Sequence, residues 1–193
     1  MPKSLVFATH NQNKLLEIQA LMPSHIELLS LDDIGCTEDI VEDAPTIEGN
    51  AKLKASYVKQ TYGYDCFADD TGLEVEALNG APGVYSARYA SERRDANENM
   101  DKLLYRLDPF DDRSAQFKTA IAYVTDSNSE LFIGLCKGQI THEKRGDQGF
   151  GYDPIFKPDG YEQTFAQMPM NLKGEISHRG RAFTQLLEHL NKQ

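Results

Sequence analysis

The chain has 193 residues, of which 40% are hydrophobic and 26% charged, a composition typical of a water-soluble globular protein with a sizeable core. Its 30 acidic residues outnumber 20 basic ones and give a net charge of −10, which argues against a nucleic-acid polymer as main partner because such binding needs a basic face. A small anionic substrate stays possible, since a local cluster of cations or a bound metal reverses the field inside a cleft. No apolar run approaches the ~20 residues that cross a bilayer. The widely spaced Cys36, Cys66 and Cys136 are typical of buried thiols in a reducing cytoplasm.

Strand and helix patterns alternate in the first half of the chain. Compact apolar runs predict buried strands, and apolar residues three and four apart predict helices. In chain order, the predicted elements are a strand at 5–9, a helix that ends before Pro23, a strand at 26–31, an acidic loop at 32–48, a helix at 50–62, and strand-like residues at Phe67 and 73–78. Such alternation is typical of an α/β protein.

The second half contains a long predicted hairpin before a last helix. Its predicted elements are a tight turn at 79–83, a capped helix that begins near Asp95, a β-hairpin formed by 116–125 and 130–143, and a final helix with an apolar stripe from Phe183 to Leu190. We therefore predict an α/β fold with a mixed β-sheet flanked by helices.

Two adjacent carboxylates, Asp69 and Asp70, stand where an apolar run ends, directly before Thr71 and Gly72. Successive side chains of a strand point to opposite faces, so the pair can share one task only if the strand ends there. Acidic oxygens at a strand end suit a hard cation or a general base. A solvated turn explains the same residues without any function, and the segment alone leaves both interpretations open.

Polar residues at the start of two predicted helices are candidates for phosphate binding. Residues 9–14 lie between the first strand and the first helix, where a helix N-terminus offers N–H donors and the positive end of its dipole. An asparagine helix cap is the alternative interpretation of this segment. Asn50 and Lys54 share a face of the next predicted helix and, with the acidic residues of 42–48, would line a metal–phosphate cleft. For Lys54 alone, a solvated helix face is the simpler interpretation.

Two later segments carry glycines, aromatic rings and donors. In 149–154 the glycines let the backbone approach a ligand, either aromatic ring can stack on a base, and Asp153 can accept a ring N–H. Residues 177–180 open the last helix and, together with Lys173, supply donors suited to carbonyl or phosphate oxygens. The alternatives are a turn with two packed aromatic residues and a capping serine beside a solvated arginine.

Five segments of the chain are similar, in the same order, to motifs of one enzyme family. They are Thr-His-Asn-Gln-Asn-Lys (9–14), Phe-Ala-Asp-Asp-Thr-Gly-Leu (67–73), Gly-Ala-Pro-Gly-Val-Tyr-Ser-Ala-Arg (80–88), Gly-Phe-Gly-Tyr-Asp-Pro (149–154) and Ser-His-Arg (177–179), and they span nearly the whole chain. Together they resemble the inosine/xanthosine triphosphate pyrophosphatases. The resemblance implies a Mg²⁺-dependent enzyme that hydrolyses ITP, dITP, XTP and dXTP to the monophosphate and pyrophosphate, removing deaminated purines from the nucleotide pool. It also implies a cytoplasmic homodimer and a single domain over 1–193, with an elongated mixed sheet and two lobes around a central nucleotide-binding cleft.

The resemblance assigns roles to individual residues. Asp70 is similar to the family's general base and metal neighbour, and Glu42 to its metal-binding glutamate. The residues implied to bind substrate are Thr9, His10, Asn11, Gln12, Asn13, Lys14, Lys54, Thr71, Phe150, Gly151, Tyr152, Asp153, Lys173, His178 and Arg179. Because a bound metal lowers the basicity of a carboxylate, Asp69 is a candidate to share the task of Asp70.

Three positions depart from the pattern of that family. Thr71 stands where serine is common but keeps the hydroxyl, and Ala44-Pro45 replaces a glycine-containing turn that often follows the metal-binding glutamate. His10 occupies a variable position, so we expect it to contribute a backbone contact rather than its ring.

Donor–acceptor logic favours purines with a 6-oxo group. Hypoxanthine and xanthine present a 6-oxo acceptor and an N1–H donor, whereas adenine presents the reverse at both positions. A pocket in which Lys173 or Arg179 donates and Asp153 accepts would reject adenine by ~10⁴ or more, but this pattern does not exclude guanine. Two alternatives stay open, namely a pyrophosphatase for other modified or standard nucleotides and a non-catalytic nucleotide-binding module.

Overall fold

The computed structural model describes residues 3–192, which form an alternation of strands and helices. The strands are β1 (Lys3–Phe7), β2 (Ile26–Leu29), β3 (Cys66–Val75), β4 (Pro82–Gly83), β5 (Ser114–Val124), β6 (Ser129–Ile140) and β7 (Phe156–Pro158). The α-helices are α1 (Gln12–Leu21), α2 (Ile47–Tyr62), α3 (Ala96–Leu107), α4 (Met170–Ile176) and α5 (His178–Leu190). The predicted α/β class is confirmed, while α4 and the short strands β4 and β7 have no counterpart in the sequence prediction.

The strands form a mixed sheet in the order β2-β1-β3-β5-β6-β7, with β4 paired to β3. Strand β1 is parallel to both β2 and β3, because helices α1 and α2 supply the crossover connections that parallel neighbours need. The β3–β4 and β6–β7 pairs are antiparallel. The sheet is therefore mixed, as the sequence predicts.

The chain divides into two units, each with its own core. Unit 1 comprises the described residues up to Asp70, Thr119–Gly134 and the residues from Gly180 onward, and unit 2 comprises Thr71–Lys118 and Leu135–Arg179. The core of unit 1 includes Leu5, Phe7, Ile18, Phe67, Ile121, Tyr123, Phe183 and Leu186. The core of unit 2 includes Leu73, Val75, Met100, Leu103, Leu107, Phe117, Tyr152, Ile155, Phe156 and Phe165.

Capping residues fix where the long helices begin. The Asn11 side chain accepts from the N–H groups of Asn13 and Lys14 at the start of α1, and Asp95 accepts from the N–H of Glu98 at the start of α3. The cap at Asp95 agrees with the sequence prediction, and the cap at Asn11 agrees with the alternative interpretation of residues 9–14. The three cysteines are all buried, which also agrees with the prediction.

Strand β3 does not end at the acidic pair. The prediction placed a strand end at Asp69 and Asp70, but β3 continues without a break from Cys66 to Val75. Buried apolar residues on both sides of the pair keep the ladder in place, so the two carboxylates leave the strand on opposite faces. The hydrogen bond from Asn50 goes to Asp70, and the ion pair with Lys14 goes to Asp69.

Candidate active site

In unit 1, Asp69 is a buried carboxylate that holds a lysine. Its Oδ1 lies 2.9 Å from Nζ of Lys14, and the side chain of Asp69 is fully buried while that of Lys14 is 13% exposed. A charge-assisted pair with so little solvent fixes the lysine side chain far better than an exposed pair would. Asp69 thus orients Lys14, one of the cations predicted to grip phosphate.

Asp70 is also buried, with 8% of its surface exposed, and it accepts a hydrogen bond of 3.1 Å from Nδ2 of Asn50. Burial raises the pKa of the Asp70 carboxyl above its ordinary value. The positive charges of Lys54 and Lys14 lower this pKa again, and the nearby negative charge of Glu42 raises it. Asp70 is therefore a carboxylate whose negative charge a bound cation would stabilise.

The residues of unit 1 fit a magnesium ion. The negative charge of Glu42 is close enough to Asp70 to raise the pKa of Asp70, and Oε1 of Glu42 lies 3.5 Å from Nζ of Lys54. Among the described residues, no group of three or more histidines, cysteines and acids forms a complete metal cage. Mg²⁺ is bound in such sites by one or two carboxylates, with water and substrate phosphate as the other ligands. The donor set therefore suits Mg²⁺ in the presence of a phosphate ligand.

The segment 9–14 is organised by its own side chains. Thr9 Oγ1 accepts from the N–H of Asn11, and the Asn11 carboxamide caps the first turn of α1. The ring of His10 contacts the carbonyl oxygen of Glu38 at 3.0 Å. The helix-cap interpretation is thus correct for Asn11, and Lys14 is the residue of this segment placed beside the carboxylates of β3.

In unit 2, a buried carboxylate, a lysine and an aromatic ring form a second cluster. Oδ2 of Asp153 accepts from Nζ of Lys173 at 2.6 Å and from the N–H of Phe150 at 2.8 Å. The Lys173 ammonium lies 5.0 Å, and the Arg179 guanidinium 5.5 Å, from the centre of the Phe150 ring. Lysine and carboxylate are each about 5% exposed or less. The structure therefore brings four of the predicted base-contacting residues together.

The remaining predicted residues of unit 2 serve as the frame of this cluster. Tyr152 is buried in the core, where its hydroxyl donates to the carbonyl oxygen of Ser86 at 2.7 Å and burial raises its pKa. The ring of His178 stacks on Phe117 with 4.4 Å between centroids. The Tyr152 hydroxyl and the His178 ring therefore contact other residues of unit 2.

Gly151 and Thr71 are the other two predicted residues of unit 2. Gly151 has a φ of 63°, a left-handed conformation that favours glycine. The guanidinium of Arg179 donates to Oγ1 of Thr71 at 3.2 Å. The hydroxyl that Thr71 shares with the family's serine thus contacts the arginine of the Ser-His-Arg segment.

Sequence reasoning missed three connecting residues. It placed Asn50 on a helix face but did not connect it to Asp70, and it had no role for Ser86 or Glu38. Ser86 Oγ accepts from the N–H of Leu73 at 2.8 Å, and Glu38 accepts from two tyrosine hydroxyls. A residue that hydrogen-bonds distant segments leaves no periodic signal, so only the fold identifies such contacts.

Buried carboxylates beside lysines in unit 1, and a phenylalanine ring beside two cations in unit 2, define an α/β protein of the nucleotide-binding class. The donors suit phosphate, and the ring suits a planar base. A model of the Ham1 family matches residues 5–189, and the chain belongs to that family.

Relatives and solved structures agree over nearly the whole chain. A Flavobacterium psychrophilum protein named dITP/XTP pyrophosphatase is 61% identical over 184 residues, covering 95% of this chain and 97% of that protein. One of the same name from Porphyromonas gingivalis is 50% identical, covering 97% of each chain. The structure of the Staphylococcus aureus Ham1 protein has a TM-score of 0.89 at 38% identity and covers 98% of this chain and 99% of its own. Within residues 3–192, no helix is long and apolar enough to cross a membrane.

Proposed function

We propose that this protein hydrolyses the α–β phosphoanhydride of non-standard purine nucleoside triphosphates (ITP, dITP, XTP and dXTP) and releases the monophosphate and pyrophosphate. The observation that carries the proposal is Asp70, a buried carboxylate with a raised pKa, in a chain 61% identical to a protein named dITP/XTP pyrophosphatase. Removing deaminated purines from the nucleotide pool is the role that follows from this reaction.

Glu42 and Asp70 would hold the magnesium ion. When bound, Mg²⁺ would neutralise the negative charge of the phosphate oxygens and orient the triphosphate. Two carboxylates are the usual protein share of such a site, the other ligands being water and phosphate.

The triphosphate would be gripped by Lys14, Lys54 and the backbone and polar groups of residues 9–13. Lys54 is only 6% exposed, so its charge acts in a medium of low polarity, where attraction to phosphate is strong. Asp69 fixes the direction of Lys14. Phosphoryl transfer depends mostly on such positioning and charge stabilisation.

Asp70 would accept the proton of the attacking water at its carboxylate. A carboxylate is a weak base at its ordinary pKa, and burial makes Asp70 a stronger one by raising that pKa. Lys14 and Lys54 would then offset the charge that develops on the leaving pyrophosphate.

Unit 2 would bind the base. The ring of Phe150 would stack on the base, and Lys173 and Arg179, whose cationic groups lie 5.0 and 5.5 Å from the centre of that ring, would donate to a 6-oxo group. Asp153 holds Lys173 in place, and its predicted contact with the base N–H stays part of the proposal. Adenine would present its 6-amino donor to these donors in place of a 6-oxo acceptor, which is the physical basis of its proposed rejection.

The other predicted substrate residues of unit 2 would act through the frame of this pocket. Gly151 and Tyr152 would shape the loop that carries Phe150. His178 and Thr71 would position Arg179, its chain neighbour and its hydrogen-bond partner respectively.

We also propose that the protein works in the cytoplasm as a homodimer. Both proposals follow from the family resemblance. Sedimentation of the purified protein at several concentrations tests the second, because a stable dimer keeps twice the monomer mass on dilution.

A product assay tests the proposed function. ITP, XTP, GTP, ATP, dUTP and TTP are compared side by side, with Mg²⁺ or with a chelator, and pyrophosphate and monophosphate are both measured. We expect metal-dependent release of pyrophosphate from ITP and XTP. Preference for dUTP or TTP would favour a pyrophosphatase of another specificity, and binding without turnover would favour a non-catalytic nucleotide-binding module.

A further inference from the structure

Asn50 joins the two segments that carry the proposed metal-binding carboxylates. Its Oδ1 accepts from the N–H of Ala44 at 3.0 Å, and its Nδ2 donates to Oδ2 of Asp70 at 3.1 Å. Asn50 is only 2% exposed, so neither bond is exchanged readily for water. One buried side chain therefore connects Asp70 with the backbone two residues after Glu42.

The orientation of this carboxamide follows from chemistry. A backbone N–H can only donate, so the carbonyl oxygen of Asn50 must face Ala44. The NH₂ group then faces Asp70, where a carboxylate oxygen accepts from it. Turning the amide by 180° would place donor against donor and acceptor against acceptor, and the bridge therefore has one stable arrangement.

The segment that carries Glu42 is packed closely against α2 at this end. A Cβ atom at position 49 would lie 2.6 Å from Cβ of Ala44, so Gly49 permits the close approach. The absence of a side chain at Gly49 therefore makes room for the methyl group of Ala44.

The same segment is held at its other end by Glu38. Its Oε1 accepts from the hydroxyls of Tyr57 and Tyr62, at 2.5 and 2.8 Å, and both tyrosines belong to α2. The ring of His10 contacts the Glu38 carbonyl oxygen. Glu42 thus lies on a short stretch of chain fixed to α2 on both sides.

We propose that Asn50 is a positioning residue that sets the Asp70 carboxylate relative to the Glu42 segment, so that both carboxylates are arranged before Mg²⁺ binds. The inference rests on the proposed function of these two residues. Partners that orient metal ligands typically affect metal affinity or activity by ~10–100-fold when removed. Asn50 belongs to this group because its Nδ2 donates to the carboxylate of Asp70.

The chain offers a matched control in Asn99. Both asparagines are the fourth residue of a helix, and Asn99 is 3% exposed. Asn99 also forms one bond as acceptor, from the N–H of Ala90 at 2.6 Å, and one as donor, to the carbonyl oxygen of Ala87 at 2.9 Å. Removing either side chain costs a similar pair of buried hydrogen bonds, but only Asn50 reaches a proposed metal ligand.

The experiment compares Asn50→Ala and Asn50→Ser with Asn99→Ala and Asn99→Ser in the full chain. Mn²⁺ binding is measured by electron paramagnetic resonance, alone and with the non-hydrolysable α,β-methylene analogue of ITP. We expect the Asn50 variants to bind Mn²⁺ ~10-fold or more weakly and to need correspondingly more Mg²⁺ for turnover. We expect the Asn99 variants to bind the metal like wild type, with a comparable loss of thermal stability. The serine variants serve if an alanine variant does not fold.

The outcomes separate this inference from the proposed function. Unchanged Mn²⁺ affinity in the Asn50 variants, or an equal loss in both pairs, overturns the positioning role. Wild-type protein that binds Mn²⁺ but releases no pyrophosphate overturns the proposed function. Even in that case, a weaker Mn²⁺ affinity in Asn50→Ala and Asn50→Ser, but not in the two Asn99 variants, supports the positioning role.

Discussion

The buried carboxylates of the two units differ in what contacts them. In unit 2, Asp153 is matched by an ammonium at 2.6 Å and a backbone N–H at 2.8 Å. In unit 1, Asp69 is matched by an ammonium at 2.9 Å, whereas its chain neighbour Asp70 accepts from a neutral amide and has a raised pKa. We infer that Asp69 and Asp153 orient the lysines they contact, and that Asp70, whose pKa is raised by burial, is suited to bind a cation and a proton.

This difference assigns separate tasks to residues of the same type. We propose that Asp69 and Asp153 position Lys14 and Lys173, and that Asp70 takes part in the chemistry. Three substitutions test the comparison. Asp70→Asn should affect turnover, Lys173→Met should affect base discrimination, and Asp69→Asn should affect phosphate binding.

The largest expected effect follows from Asp70→Asn. The substitution keeps the shape but removes the proton acceptor and one metal-binding charge, so kcat for ITP should fall by ~10³-fold or more. Binding of the non-hydrolysable analogue, measured by calorimetry, should largely survive because the lysines are intact. ITP hydrolysis near the wild-type rate would reject Asp70 as the base.

The next effect is expected in base discrimination, from Lys173→Met. Removing one partner of a buried ion pair costs ~3–5 kcal/mol, because Asp153 is left without its cation. The ratio of kcat/KM for ITP over ATP should fall by ~10²-fold as the donor to the 6-oxo group is lost.

Lys144→Met is the matched control for this substitution. Lys144 pairs with Asp101 at 2.7 Å, but the carboxylate is 67% exposed and the pair is worth little to stability. If Lys173→Met and Lys144→Met are both folded and the ratio of kcat/KM for ITP over ATP is unchanged in Lys173→Met, then Lys173 has no role in base recognition.

A smaller effect is expected from Asp69→Asn, in phosphate binding. Lys14 loses its charged partner and becomes less ordered, so KM for ITP should rise ~10-fold while kcat changes little. Asp65→Asn is the control. Oδ1 of Asp65 lies 3.1 Å from Nζ of Lys59, and Asp65 is partly exposed and directly precedes β3. A collapse of kcat in Asp69→Asn would instead show that Asp69 shares the task of Asp70.

Much of this comparison could be predicted from the sequence, and the acidic pair shows where prediction stopped. Successive side chains of a strand point to opposite faces, so a strand that continued through Asp69 and Asp70 would be expected to give them separate tasks. The strand does continue, because Leu73 and Val75 beyond the pair are as buried as Cys66 and Phe67 before it. Turn-forming residues after the pair favoured the wrong boundary, and tertiary packing overrides such local preferences.

The partners of the candidate residues were beyond sequence reasoning. Local patterns predicted the caps of α1 and α3, since each depends on neighbours within a few residues. The contacts between Lys14 and Asp69 and between Asp153 and Lys173 join residues far apart in the chain. The family resemblance named most of these residues, but only the fold shows which carboxylate belongs to which lysine.

The smallest expected effect is a pH dependence of stability that differs in sign between two aspartates of unit 1. Burial raises the pKa of Asp70 in the folded protein above the ordinary 3.8, so the folded state binds this proton more tightly than the unfolded chain. Ionisation of Asp70 therefore favours unfolding, and wild type should lose stability relative to Asp70→Asn as the pH rises from the ordinary pKa through the raised one.

Asp33 supplies the opposite sign in the same experiment. Hydrogen bonds from the hydroxyl and the N–H of Ser30 hold the pKa of Asp33 below 3.8, so its ionised form favours the folded state and this stability is lost as the pH falls through the lowered pKa. Thermal unfolding in metal-free buffer should show the midpoint of Asp70→Asn rising above wild type as the pH increases. The midpoint of Asp33→Asn should fall below it. Parallel pH profiles for wild type and Asp70→Asn would mean that Asp70 pays no burial penalty, and the contrast with the lysine-paired carboxylates would then lose its physical basis.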